Sequence, residues 1–149
     1  MPRWRLRLVW MLRELQPEEI AMWTERMRIR RQDADVLERA LVVGRRLADR
    51  VTRGPSEADL YDFARGEPLE AVVAAMTLDE SGIAEQRLGR FLDTSRHVRL
   101  AISGDDLLEL GFTASPEMGD VLRSVLHLKL NGVVQTRDDE LAAAARLRP

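Results

Sequence analysis

Residues 102–132 read ISGDDLLELGFTASPEMGDVLRSVLHLKLNG. The stretch predicts a short helix between Gly104 and Gly111, a turn, and a longer helix opened by Pro116 and closed by Gly132. Gly111 follows the apolar run Leu107, Leu108, Leu110, the place where a helix ends on a residue able to adopt positive φ. Gly119 falls in the first turn of the second helix, where glycine costs about 1 kcal/mol relative to alanine and needs a packing or contact reason. Two reasons fit. A neighbouring helix can pack closely against it, or the N–H groups around Pro116 to Gly119, uncovered by a side chain, can receive a phosphate.

Outward from this stretch the helical period dominates. Trp4, Leu8, Met11, Leu12 and Leu15 fall on one stripe, with Arg3, Arg7 and Glu14 off it. Pro17, followed by Glu18 and Glu19, starts a second helix with Ile20, Trp23 and Met27 on its apolar side, ending near Ile29. A third helix, roughly Asp33 to Arg53, carries the clearest stripe: Leu37, Ala40, Leu41, Gly44, Leu47, Ala48 and Val51. Gly54 and Pro55 stop it, and Ser56 with Asp59 caps the next. Further helices are predicted through Leu60 to Ala64, from Leu69 to Leu78 with Leu69, Val72, Val73 and Met76 as its apolar side and Ala71, Ala74 and Ala75 permitting close approach of a neighbour, and from about Ile83 to Leu100. Thr136 with Asp139 caps the last, through Leu141, Ala145 and Leu147. The expected fold is all-α, an irregular array of about seven to nine helices without substantial sheet. The break at Gly54 to Ser56 suggests a basic N-terminal helical subdomain, 1–54, and a C-terminal helical domain, 55–149.

The 149 residues, 45% of them apolar, suffice for one ordinary core or two small ones. Cysteine is absent and His97 and His127 are the only histidines, which excludes a disulfide framework, a thiolate metal site and a histidine cluster. The apolar run Trp4 to Leu12 is interrupted by Arg5 and Arg7 and is far shorter than the roughly 20 residues a membrane span needs. The net charge of −2 divides unevenly: residues 1–53 carry +5 and residues 54–149 carry −7. A basic N-terminal third is compatible with a polyanionic partner, whereas the acidic remainder is unlike a module that is basic throughout.

On the third helix Arg39, Arg46, Arg50 and Arg53 recur at spacings of seven, four and three, along one face. Regularly spaced guanidinium groups can follow a nucleic-acid backbone. The same arginines also fit a solvated face, because Asp35 with Arg39, Arg45 with Asp49 and Asp49 with Arg53 are i,i+4 pairs. On the helix after Pro116, His127 shares a polar face with Asp120, Arg123, Ser124 and Asn131, opposite Met118, Val121, Leu122 and Val125. That face suits either RNA contact or plain solvent exposure. The adjacent Asp105 and Asp106 diverge by about 100° on a helix and follow a Ser-Gly turn, so they read as helix-start carboxylates rather than as a metal pair.

The spacing G-x-D-L-x-x-x-G, a proline turn, then G-x-x-L, carried by Gly104, Asp106, Leu107, Gly111, Pro116, Gly119, Leu122 and Gly132, resembles the C-terminal segment of bacterial tRNA nucleotidyltransferases and the related poly(A) polymerases. One departure is visible: the family usually reads P-G-P before the second helix, and here Ala114, Ser115 and Pro116 stand there. The resemblance implies an RNA-binding helical region that holds the body of tRNA while a catalytic head adds nucleotides to the 3′ end. The metal-binding D-x-D and glycine-rich motifs of such a head are absent from these residues, as are a P-loop and a nucleophile elbow. The chain is therefore expected to have no catalysis and no cofactor of its own, the full enzyme using Mg and nucleoside triphosphates. The expected partners are tRNA or tRNA-like RNA, the missing head and a second copy of the chain, in the cytoplasm and without a membrane. The RNA-binding candidates are Arg39, Arg46, Arg50, Arg53, Gly119, Arg123 and His127. A rival reading, a helical protein-interaction or dimerisation module, draws on Trp4, Trp10 and Met11. A DNA-binding helix-turn-helix is disfavoured because the acidic C-terminal part offers no basic recognition helix.

Overall fold

The computed structural model describes residues 3–148. Among them it has nine α-helices and no strand: α1 (Arg3–Leu12), α2 (Pro17–Arg26), α3 (Arg31–Thr52), α4 (Glu57–Ala64), α5 (Leu69–Leu78), α6 (Ile83–Asp93), α7 (Gly104–Glu109), α8 (Glu117–Leu130) and α9 (Arg137–Arg146), with one 3-10 turn at Ser95–His97. The fold is all-α, as the periodicity predicts. No helix of the described residues is long and apolar enough to cross a membrane. The chain forms two compact units, Met1–Pro55 with Leu60–Asp93, and Ser56–Asp59 with Thr94–Pro149. The helix break at Gly54 to Ser56 lies between α3 and α4, while α5 and α6 group with α3 rather than with the C-terminal helices.

In the first unit α3 is the spine. All seven residues of its predicted stripe, Leu37 to Val51, are buried. It packs chiefly against α5, and the contact is close because both surfaces are small. A Cβ placed on Gly44 would lie 2.6 Å from the Ala74 Cβ and 3.1 Å from the Ala71 carbonyl oxygen. The inner face of α5 is accordingly Ala71, Val72, Ala74 and Ala75, with Glu70 also buried. Leu69, Val73 and Met76, expected inside, are half-buried, since close helix approach favours the alanine side.

The first helix also differs from expectation. Val9 and Leu12 are its buried residues, whereas Trp4 and Met11 are exposed. The inward face is turned toward α3 and α5, with Leu8 and Leu15 at its margins. Arg5 helps to set that rotation, reaching Asp33 at 2.5 Å and the buried Glu70 at 3.6 Å. Ile20 on α2 is buried, but Met27, just past the helix end, is exposed. The helix stops at Arg26 because Arg28 adopts φ +50° and the Ile29 N–H turns back to the Thr24 carbonyl at 2.9 Å, a left-handed helix ending built without glycine. The helix expected to run from Ile83 to Leu100 ends at Asp93. Thr94 leaves helical geometry there, within an Asp-Thr-Ser run whose short polar side chains compete for the backbone.

The second unit is built on Ile102, Leu107, Val125, Val134, Ala143 and Ala144. Gly111 and Gly132 both take positive φ, +86° and +75°. In each case the following N–H returns to a carbonyl five residues back, Phe112 to Leu107 at 3.0 Å and Val133 to Leu128 at 2.9 Å, which closes α7 and α8 as the sequence predicts. Asp106 serves the start of α7, accepting the Ser103 N–H at 2.7 Å and an Arg137 guanidinium bond. Thr136 and Asp139 cap α9 reciprocally, at 3.2 and 3.0 Å. The sequence offers no hint of Glu140, which is 0% exposed. Its carboxylate accepts the N–H groups of Ala101 and Ile102 at 2.7 and 3.2 Å and pairs with Lys129 at 2.5 Å.

Candidate nucleic-acid interface

The 22-residue α3 turns its apolar stripe inward, so the arginines on its other side are left to solvent: Arg39, Arg46, Arg50 and Arg53 are all exposed. They do not form a uniform ridge. Arg39 pairs with Glu67 at 3.5 Å and Arg53 with Asp49 at 2.7 Å. These two guanidinium groups therefore have part of their charge answered locally, although exposed pairs of this kind are worth only about 0–1 kcal/mol and exchange readily. Arg46 has no carboxylate partner among the described residues. Arg50 lies over the Phe63 ring with its guanidinium carbon 4.5 Å from the centroid. Of the three i,i+4 pairs suggested by spacing, only Asp49 with Arg53 is an ion pair here. Arg45 turns instead to the carbonyls of Arg13, at 3.0 Å, and Leu15, where it satisfies the chain ends between α1 and α2.

Between Arg46 and Phe63 lies an open cleft of about 240 Å³, lined by Val43, Arg46, Leu47, Arg50, Phe63 and Glu67. Sequence reasoning missed Phe63 and Glu67 as neighbours of the arginines. Both belong to the segment after the Gly54 break, and only the packing of that segment against α3 brings them there.

The remaining candidates, Gly119, Arg123 and His127, lie on α8 in the second unit. Gly119 is exposed, and a Cβ there would meet no atom within 4 Å, so close helix packing does not account for this glycine. Its N–H bonds to the Pro116 carbonyl at 3.0 Å and the Met118 N–H to Ser115 at 3.2 Å. The tight first turn thus occupies two of the N–H groups expected to be open, and Glu117 and Asp120 add negative charge beside it. Arg123 is exposed and His127 half-buried. Asn131, grouped with them by periodicity, is used structurally, its side-chain oxygen accepting the Ala58 N–H at 3.1 Å. The same unit has a larger cleft of about 590 Å³ whose lining includes Phe112, Met118, Asp120, Val121 and Arg148.

No protein-family model matches the chain, and no solved structure matches it. Among curated proteins, an A-adding tRNA nucleotidyltransferase from Geobacter sulfurreducens is 33% identical to it over 90 residues, a stretch covering 60% of this chain and 10% of that protein. The chain therefore matches about a tenth of the length of this relative.

Proposed function

We propose that the chain is a tRNA-binding helical region of a tRNA nucleotidyltransferase or poly(A) polymerase-like enzyme, positioning the RNA body for 3′-end addition by a catalytic head that lies outside these residues. The observation that carries this reading is the 33% identity to an A-adding tRNA nucleotidyltransferase. The arrangement of α3 supports it: a basic face in which Arg46 and Arg50 make no ion pair among the described residues is suited to phosphate contact. On this reading the chain itself performs no chemistry, and Mg and nucleoside triphosphates belong to the head. With tRNA as partner the natural compartment is the cytoplasm.

The two surfaces are assigned different parts. The α3 face supplies most of the electrostatic affinity, with Arg46 and Arg50 foremost and Arg39 and Arg53 following after release from Glu67 and Asp49. The α8 surface of Gly119, Arg123 and His127 supplies placement, since its acidic neighbours Glu117 and Asp120 offset attraction to phosphate.

A protein-interaction or dimerisation module is the second reading, favoured by the exposed Trp10 and Met11 on α1, 56% and 61% accessible, together with Met22 and Met27. Binding of the full chain to folded tRNA and to a DNA duplex of equal length, over a range of salt, separates the two. RNA affinity carried by arginines falls steeply with salt, whereas apolar association is nearly indifferent to it. The double variant Arg46→Gln, Arg50→Gln is expected to weaken tRNA binding by about 1–2 kcal/mol and to flatten the salt slope by roughly two phosphate contacts. Unchanged tRNA affinity at low salt would remove the α3 face from the interface.

A further inference from the structure

We propose that Arg50 and Phe63 form a stacking platform for one unpaired RNA base, with Arg46 holding the phosphate of that nucleotide. The inference rests on the RNA-binding reading above and adds to it a particular ligand element, a nucleotide outside a duplex.

Three features support it. The Arg50 guanidinium lies 4.5 Å from the Phe63 ring centroid while the arginine as a whole remains exposed. The ring thus stands against part of the guanidinium, and the rest of the side chain is open to solvent and to a planar partner. Guanidinium planes and aromatic rings are the surfaces on which unstacked RNA bases settle, and a pre-positioned guanidinium loses less freedom on binding than a mobile one. Secondly, the cleft beside the pair, about 240 Å³, has apolar walls from Val43, Leu47 and Phe63, which suit a base rather than a bare anion. Thirdly, Arg46 stands one helical turn before Arg50 on the same face, without a carboxylate partner among the described residues. The single acid in the lining, Glu67, faces Arg39 at 3.5 Å, which limits its repulsion of a phosphate. Duplex RNA keeps its bases stacked and cannot use the platform; it can use only the charges.

The measurement is fluorescence anisotropy of the full chain at low salt with a ten-nucleotide single-stranded oligoadenylate, a ten-base-pair RNA duplex and folded tRNA. Arg50→Lys keeps the charge and removes the plane, on an exposed side chain that does not threaten the fold. It is expected to weaken single-strand binding about fivefold or more, to change duplex binding less than about twofold, and to leave the salt slope unaltered. Phe63→Leu is expected to do the same, with its melting temperature recorded beside it. Arg46→Gln is expected to weaken both RNAs and flatten both slopes by about one. Single-strand affinity unchanged in both Arg50→Lys and Phe63→Leu would overturn the platform and leave the pair as a clasp between α3 and α4. If those variants are unchanged while the parent chain binds tRNA, the stacking inference alone falls. If the parent binds neither tRNA nor the single strand, the RNA-binding reading falls and takes the platform with it.

Discussion

Gly44 on α3 and Ala74 on α5 meet so closely that a single methyl group added to the glycine would lie 2.6 Å from the alanine Cβ. The same methyl would press on main-chain atoms, the Ala71 oxygen at 3.1 Å and the Ala75 nitrogen at 3.2 Å, which yield only if the helices move apart. Gly44→Ala gains about 1 kcal/mol of helix propensity but incurs overpacking of typically about 1–3 kcal/mol. Net destabilisation in chemical denaturation is the expected outcome. Adding Ala74→Gly should recover part of it and no more, because the backbone contacts remain. A stabilised Gly44→Ala variant would show that α3 and α5 are not packed at this distance.

Glu140 is expected to be among the most sensitive positions of the second unit. Its removal in Glu140→Ala leaves the Ala101 and Ile102 N–H groups and the Lys129 ammonium without their acceptor. Breaking a buried charged pair from one side costs about 3–5 kcal/mol. Glu140→Gln keeps an acceptor for the N–H groups and should cost less. The ranking can be read from urea midpoints, and equal effects of the two variants would show that the carboxylate's charge is immaterial.

Gly119 should behave in the opposite way to Gly44. With no atom within 4 Å of an added Cβ, Gly119→Ala is expected to raise stability by up to about 1 kcal/mol through helix propensity. If α8 lies against tRNA as proposed, the same variant binds tRNA more weakly with little change in salt slope. A higher melting temperature with weaker binding is therefore the signature sought, and unchanged binding would take Gly119 off the RNA surface.

Acid should destabilise the fold through helix-start carboxylates. Asp106, chiefly by accepting the Ser103 N–H, Asp79, chiefly through Ala84, and Asp139, chiefly through Thr136, are held below the usual carboxylate range. A carboxylate with a depressed folded value stabilises the protein above its unfolded value, about 3.9. That contribution is lost as pH falls through the lower folded value. Melting temperature is expected to decline below about pH 4. The triple variant Asp79→Asn, Asp106→Asn, Asp139→Asn should melt lower than the parent at pH 7 and approach it at low pH. Parallel curves for the two proteins would contradict this assignment.

Local patterns were legible because they depend on neighbours in the chain. The α3 stripe from Leu37 to Val51, the Ser56 and Thr136 caps, and the glycine endings of α7 and α8 follow from periodicity and backbone geometry that each segment carries by itself. The all-α class follows from their sum. The face of α1 is not legible in this way, because spacing identifies several apolar residues without saying which of them another helix covers. Val9 and Leu12 are inside, while Trp4 and Met11 stay out.

Of the candidate site, the sequence by itself determined that Arg39, Arg46, Arg50 and Arg53 share one face, and that Gly119 needs a reason. Only the tertiary structure decided which of these arginines meets Glu67, which lies over Phe63, and which makes no ion pair among the described residues. It also decided that nothing packs on Gly119 and that Glu140 is a buried acceptor. The physical reason is the same in each case. Periodicity fixes the direction of a side chain about its own helix axis, but charge pairing, stacking and desolvation depend on distances between segments far apart in the chain, which are set by how the small faces of α3 and α5 and the core of the second unit pack.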